Sequence, residues 1–343
     1  MAPFRCALIG CGGMSGLHAA GYATHPSCEI VAVADIAADK ARARAESHAP
    51  GAAIYTDYAR MLKAEKPDIV SVCLWPHLHA PAVLASARAG VKAIHCEKPM
   101  APTWGEALKM VAACDKAGVQ LSFGHQRRFL DAFRKAKQFK EEGAIGDLIR
   151  LEGACDNMID WGTHWLDMMF FMNNDTPAAW VLGQISATQW REVFGLPLET
   201  QAICEFVFQN GVRGVLYTGE DNDIGCSIRL IGSEGRIDLR GGEKPLWVQD
   251  KSGKWRTPKV IGNLHGGEAV GWAVHDVVDS LAGGREPELS ARRALQATEV
   301  IFATYESSRR RGRVDLPLKQ RDSAYLSMIE SGELKPKGKG RRT

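Results

Sequence analysis

The first 125 or so positions alternate continuous apolar runs with stretches whose apolar residues recur at helical spacing. The runs "FRCALIG", "EIVAVAD", "DIVSVCLW", "VKAIHCE" and "VQLSFGH" are short, rich in Val and Ile, and stop at Gly, Asp, Trp, Glu and His. They read as strands buried on both faces. Between them lie helical patterns over residues 14–23 and 37–48, then "APAVLASARAG" and "WGEALKMVAACDKAG". Strand–helix–strand connections of this length force parallel pairing, so residues 1–124 are expected to form a doubly wound sheet.

After Gly124 the pattern changes. A helix, "FLDAFRKAKQFKEEG", leads into strands with no helices between them: "LIRLEGAC", "AWVLGQISATQW", "TQAICEFVFQ", "GVRGVLYTG", "CSIRLIG" and "GRIDLR". The Asn-Gly of "FQNGVR" is a hairpin signal. Helices near 270–282 and 291–310 close the pattern. The fold class is therefore α/β: an N-terminal Rossmann sheet over 1–124, then an α+β domain over 125–325 with a large, mostly antiparallel open sheet. Residues 326–343, ending "KPKGKGRRT", read as a basic disordered tail. Alternation in "TQAICEFVFQ" and "GVRGVLYTG" suggests one sheet face under helices and the other under a second subunit, as homodimer or homotetramer.

Composition adds exclusions. The chain has 343 residues, a net charge of +3, 45% apolar and 24% charged residues, as a soluble globular protein has. The charge is scattered, which argues against a nucleic-acid partner, and no apolar segment approaches the roughly 20 residues that span a bilayer. The N-terminus reads as a first strand rather than a signal peptide. Nine cysteines without a C-x-x-C pair read as reduced thiols in a cytoplasmic protein, with no metal site expected.

Candidate chemistry gathers at strand ends. Gly10, Gly12, Gly13 and Met14 follow the first strand into a helix, giving a tight turn and free N–H groups for a pyrophosphate. Ser15 holds the third glycine position and Gly16 comes one place late. Asp35 ends the second strand, where a carboxylate accepts bonds from ribose hydroxyls and repels a 2′-phosphate. The cofactor expected is NAD rather than NADP, with Lys40 and Arg42 keeping NADP open. A strand-end Asp that only caps the next helix is the plainer alternative. Glu97 and Lys98 end the fifth strand, at the crevice where such folds bind ligands.

Further on, "DWGTHWLD" places Asp160 and His164 four apart. On a helix they share a face, with Trp161, Trp165 and the methionines mostly on another side, toward the core, while Asp160 as a mere N-cap of a buried helix is the plainer reading. A buried, satisfied histidine is the structural alternative.

Taken together, "IGCGGMSGLH", "VAVAD", "CLWPHLHAPAVLASARAGVKAIHCEKPM", "HQRRF", "DWGTHWLDM" and "ATEVIFATYESSRRRGRVDLP" resemble the glucose–fructose oxidoreductase, inositol dehydrogenase and rhizopine-catabolism (Gfo/Idh/MocA) family over most of residues 3–317. The resemblance implies a Rossmann domain, an open-sheet domain through which subunits associate, and oxidation of a ring hydroxyl of a sugar, glycoside or inositol, or reduction of the ketone. Carried onto this chain, Lys98 touches substrate and nicotinamide, and Asp160 and His164 form the aspartate–histidine pair. Trp75, Pro76 and His79 pass the nicotinamide end of the cofactor, with Glu97 beside Lys98. Arg128 and Gln126, after the last Rossmann strand, face substrate with Trp161 and His164.

The chemistry suits those residue types. A neutral imidazole takes a hydroxyl proton near pH 7, so His164 is the expected base, Asp160 its orienter and Lys98 the cation beside the developing alkoxide. Asp167 could pair with His164 or Arg128, and is assigned first to the domain interface. Trp161 is open between stacking on a sugar ring and a core role. Only a few residues separate "LIRLEGAC" from Asp160, so a loop that contacts substrate in many relatives is short or absent. Two other functions stay in play: glycoside cleavage or elimination by transient oxidation on a retained NAD, and a non-catalytic NAD-binding regulator. Retention of Lys98 and His164 speaks against the regulator.

Overall fold

A computed structural model describes residues 2–219 and 222–338. By contact the chain falls into two compact units, one built from residues up to 102, 106–126 and 267–294, the other from 103–105, 127–266 and 295 onward.

The first unit holds six strands: β1 (Phe4–Ile9), β2 (Cys28–Ala34), β3 (Ala53–Tyr55), β4 (Ile69–Val72), β5 (Ala93–Cys96) and β6 (Gln120–Phe123). All pair parallel in the order β3-β2-β1-β4-β5-β6, the doubly wound arrangement expected from the sequence. Helices α1 (Gly13–Thr24), α2 (Ala38–His48), α3 (Tyr58–Glu65), α4 (His79–Arg88) and α5 (Trp104–Ala117) connect them. The strand interiors are almost wholly buried because helices cover both faces.

Next come α6 (Asp131–Glu141), β7 (Leu148–Cys155), α7 (Gly162–Met172), β8 (Ala178–Ser186), β9 (Arg191–Val193), β10 (Leu196–Leu198), β11 (Gln201–Phe208) and β12 (Arg213–Thr218). They are followed by β13 (Ile228–Gly232), β14 (Arg236–Leu239), β15 (Leu246–Gln249), β16 (Trp255–Arg256), α8 (Glu268–Gly283), α9 (Ala291–Arg310), β17 (Val314–Asp315) and α10 (Ala324–Glu330).

The second unit is built on a nine-stranded sheet, β16-β15-β14-β13-β7-β12-β11-β8-β17. Its pairs are antiparallel except β7 with β12, which run parallel. The "FQNGVR" hairpin joins β11 and β12, with Gly211 at φ +86. β9 and β10 form a separate small hairpin in the stretch between "AWVLGQISATQW" and "TQAICEFVFQ", to which the sequence reading gave no element.

α8 goes elsewhere than its place in the sequence suggested. Val274, Val277 and Val278 join the Rossmann core with Tyr22, Ile30 and Val33, and Gly21 of α1 gives it room, since a Cβ there would lie 2.9 Å from Val274. Helical periodicity announced a buried face without saying which sheet it meets. The expected tail also differs: Ser323 caps α10, and Tyr325 and Met328 are buried. The remainder of that basic stretch, 339–343, lies outside the described residues.

Candidate active site

The carboxyl ends of β1, β2 and β4 open on a cleft of about 530 Å³. Gly10, Gly12, Asp35 and Trp75 line it, with Lys40, named above for NADP, and so do Ile36, Tyr58 and His77, which the sequence reading did not assign. Gly10 sits at φ +89, and a Cβ there would collide with the Cys73 carbonyl. Only glycine lets β1 turn this close to the end of β4. Cβ atoms on Gly12 or Gly13 would meet nothing within 4 Å, so the start of α1 is open to a ligand. Met14, on the same turn, is partly exposed.

Asp35 holds this loop in shape. Its Oδ2 accepts from the Cys11 N–H at 2.7 Å and its Oδ1 from Ala37 N–H at 2.9 Å. The carboxylate thus both ties the glycine turn to the residue ahead of α2 and lines the cleft, and each oxygen keeps a lone pair for a ribose hydroxyl. The Ser15–Gly16 order has a physical reason too. The guanidinium of Arg44 donates to Ser15 Oγ (3.0 Å) and to the Gly12 carbonyl (3.1 Å), and a Cβ on Gly16 would lie 2.7 Å from its Nη1. The late glycine makes room for an arginine behind the phosphate turn, which a pattern that looks only for G-x-G-x-x-G cannot register. These residues fit a dinucleotide: open N–H groups, a cleft for the adenosine, and a carboxylate at the end of β2.

Other expected cofactor residues point away from the cleft. His79 is fully buried, with Nδ1 3.1 Å from Met100 O and Nε2 2.9 Å from Leu74 O. Burial lowers its pKa, so the ring is neutral and donates to one carbonyl at a time. Pro76 is buried beside it. Glu97 turns inward: Oε1 is 2.8 Å from His18 Nε2, and Oε2 accepts from the Lys98 N–H at 3.2 Å. His18 Nδ1 continues to Ser71 Oγ, which also meets the Tyr22 hydroxyl. Glu97 therefore anchors the end of β5, directly before Lys98, to His18. Lys98 itself is half-buried at the end of β5.

In the second unit, "DNMIDWGTH" folds around Asn157. Its Oδ1 accepts from the N–H of Asp160 (2.7 Å) and Trp161, and its carbonyl from the N–H of Gly162 (2.7 Å). A Cβ on Gly162 would lie 2.9 Å from that carbonyl, hence the glycine. Helix α7 starts only at Gly162 with Trp161 as N-cap. Asp160 therefore lies in the turn ahead of the helix, one residue before its N-cap position. Both are buried, Asp160 at 8% exposure and His164 at 4%. Glu199, missed from the sequence, pins this turn: it accepts from Met158 N–H (2.5 Å), Thr218 Oγ1 (3.2 Å) and the Tyr305 hydroxyl (3.1 Å), while burial raises its pKa.

Arg128, expected at the substrate, is fully buried and committed. It forks onto Asp167 at 2.8–3.1 Å and onto Asp175 at 2.7 and 3.1 Å. This also places Asp167, whose partner is Arg128 rather than an interface. Gln126 is half-buried in the short turn Gln126–Phe129. The neighbouring Arg127, which the sequence reading passed over, lies beside Trp161 and Trp165 with its Cζ 5.5 and 4.3 Å from their rings. Burial lowers its pKa to about 10, against the pull of Asp160. Trp161 is 38% exposed.

Comparison with known proteins agrees with this architecture. Residues 4–125 match the model of an oxidoreductase family with an NAD-binding Rossmann fold, and 154–316 match that family's C-terminal alpha/beta domain. A D-apiose dehydrogenase of Paraburkholderia graminis is 28% identical over a 374-position alignment covering 97% of this chain and 95% of the relative. A D-glucoside 3-dehydrogenase of Escherichia coli is 34% identical over 147 residues, 43% of this chain and 41% of the relative. Among solved structures, a levoglucosan dehydrogenase in complex with NADH superposes with a TM-score of 0.79 at 22% identity, covering 92% of this chain and 99% of the other. Both domain matches, in order and spanning most of its length, make this chain a member of the Gfo/Idh/MocA family of NAD-binding oxidoreductases.

Proposed function

We propose that this protein is a dehydrogenase that uses NAD, in preference to NADP, to oxidise a ring hydroxyl of a sugar, glycoside or inositol, or to reduce the corresponding ketone. The observation that carries the reading is the cleft at the β1–β2–β4 ends with Asp35 on its wall, which suits a dinucleotide bearing free ribose hydroxyls. When bound, the nicotinamide supplies the hydride acceptor. The relatives' names, D-apiose and D-glucoside 3-dehydrogenase, support the substrate class.

In this reading His164, buried in the first turn of α7, takes the hydroxyl proton. Asp160, in the turn just ahead, stabilises the imidazolium that forms. Lys98, on a strand end that Glu97 and His18 hold rigid, supplies positive charge to the oxygen. The outer sheet face, where Leu182 and Ile203 are half-exposed, supports association through that sheet. The nine free, mostly buried thiols support a cytoplasmic site of action.

The test is a panel of sugars, inositols and glycosides with NAD and NADP, read by absorbance of the reduced cofactor. Net reduction of NAD by a ring polyol is the expected result. Product formation without accumulation of reduced cofactor would move the protein to the transient-redox class, and a panel with no turnover at all would sink the reading.

A further inference from the structure

The connection between β16 and α8, residues 257–267, has no regular structure, yet it is fastened at both ends to the second unit. Lys135 Nζ donates to Lys259 O at 2.7 Å, and Asp131 Oδ2 accepts from the Ile261 N–H at 2.7 Å, tying one end to α6. At the other end, Leu264 is buried and its carbonyl accepts from Arg127 Nη1, which lies 2.9 Å from His265 Nδ1. The strap thereby brings His265 against the tryptophans of "DWGTHW". Its ring lies parallel to Trp165 (26°, centroids 6.0 Å apart) and edge-on to Trp161 (76°, 5.6 Å).

The corner so formed has an uneven balance of polar partners. Arg127 is 5% exposed and, among the described residues, has no carboxylate at ion-pair distance, and its Nε is buried without a hydrogen-bond partner. Its neighbour Arg128, equally buried, has two aspartates. A buried cation short of acceptors is costly, and a fold tolerates that cost where a ligand brings the missing oxygen. Beside it, half-exposed Trp161 and exposed His265 present ring surface to solvent. Ring faces next to a donor-rich cation match a cyclic polyol, which has C–H faces and a rim of oxygens.

We propose that Trp161, His265 and Arg127 form the specificity subsite for the substrate ring, and that strap 257–267 decides which sugar or cyclic polyol is accepted. The ring's C–H face packs on Trp161 and His265, and one of its oxygens accepts from the Arg127 guanidinium. The strap takes the place of the recognition loop for which the short β7–Asp160 connection leaves no room. This inference rests on the dehydrogenase reading for its substrate class.

The test uses the full-length protein with NADH bound, and myo-inositol and methyl β-D-glucopyranoside as probes in saturation-transfer NMR, alongside steady-state kinetics on the best panel substrate. His265→Asn puts an amide oxygen near the position of Nδ1, so Arg127 keeps its acceptor while the ring face is lost. The expected result is an unchanged melt, NAD affinity within twofold of wild type, and KM raised about tenfold, with loss of saturation transfer to the ring C–H protons. Trp161→Ala should act in the same direction, and Trp161→Phe should recover part of the loss. Unchanged KM and substrate ranking in His265→Asn would overturn the proposal, as would absence of saturation transfer to either probe in wild type. Should the probes bind at this corner while no panel member reduces NAD, the subsite stands and the dehydrogenase reading falls.

Discussion

His18 Nε2 lies 2.8 Å from Glu97 Oε1 in the Rossmann core, and the pair fixes the strand end from which Lys98 emerges. Burial works against charge on both. Glu97 is nonetheless held down at about 2 by the His18 hydrogen bond and charge, and His18 is raised to about 10 by Cys73 and Glu97. Gly124 completes the seat, since a Cβ there would lie 3.1 Å from the Glu97 carboxylate.

Stability should follow that pair. A raised histidine contributes fully below its ordinary 6.5 and loses the contribution as pH climbs toward about 10, while a depressed glutamate contributes above its ordinary 4.5 and loses it toward about 2. Glu97→Gln is expected to cost roughly 3 kcal/mol by leaving a buried imidazolium unpaired. The gap in melting temperature between wild type and variant should be widest at about pH 5–6 and shrink steadily toward pH 10. A gap that grows above pH 8 would show that the pair is not ionised in the folded state.

Arg128 gives a prediction about folding rather than substrate. Arg128→Met leaves buried Asp167 and half-buried Asp175 without their cation and should destabilise by roughly 3–5 kcal/mol in denaturant titrations. Arg128→Lys should recover only part, because an ammonium cannot fork onto two carboxylates. Normal stability of Arg128→Met with raised KM would return this arginine to the substrate.

Under the proposed function, Asp35 sets cofactor choice. Wild type is expected to bind NAD more tightly than NADP, and Asp35→Ser to narrow that gap about tenfold by removing repulsion of the 2′-phosphate. Asp35→Asn separates the two roles: it keeps an acceptor for the Cys11 or Ala37 N–H while losing the charge. Calorimetric titration with both cofactors is the measurement. A wild-type preference for NADP would refute the assignment.

His164→Ala should lower turnover by roughly 10²–10⁴-fold, the usual contribution of a general base. NAD affinity should barely change, since the lining of the dinucleotide cleft is formed by the Rossmann unit. Asp160→Asn should cost less. A His164→Ala protein that melts far below wild type, or keeps near-normal turnover, would make this histidine a core residue.

Much of this molecule was legible in one dimension because local sequence encodes local physics. Continuous apolar runs ending at Gly10, Asp35 and Glu97 announced parallel strands and their carboxyl ends, and alternation announced a half-covered antiparallel sheet. Asn-Gly announced the β11–β12 turn. What periodicity measures is that a face is buried, never against what. It therefore could not send α8 back to the Rossmann core, nor turn Glu97 inward to His18, 79 positions away. Nor could it choose between adjacent arginines of identical chemistry. Arg128 is taken by Asp167, 39 positions on, and Arg127 is left beside Trp161 and the strap carrying His265, 138 positions on. Those assignments depend on which distant groups the packed chain brings within about 3 Å of one another, and hydrogen bonds and ion pairs are decided at that range.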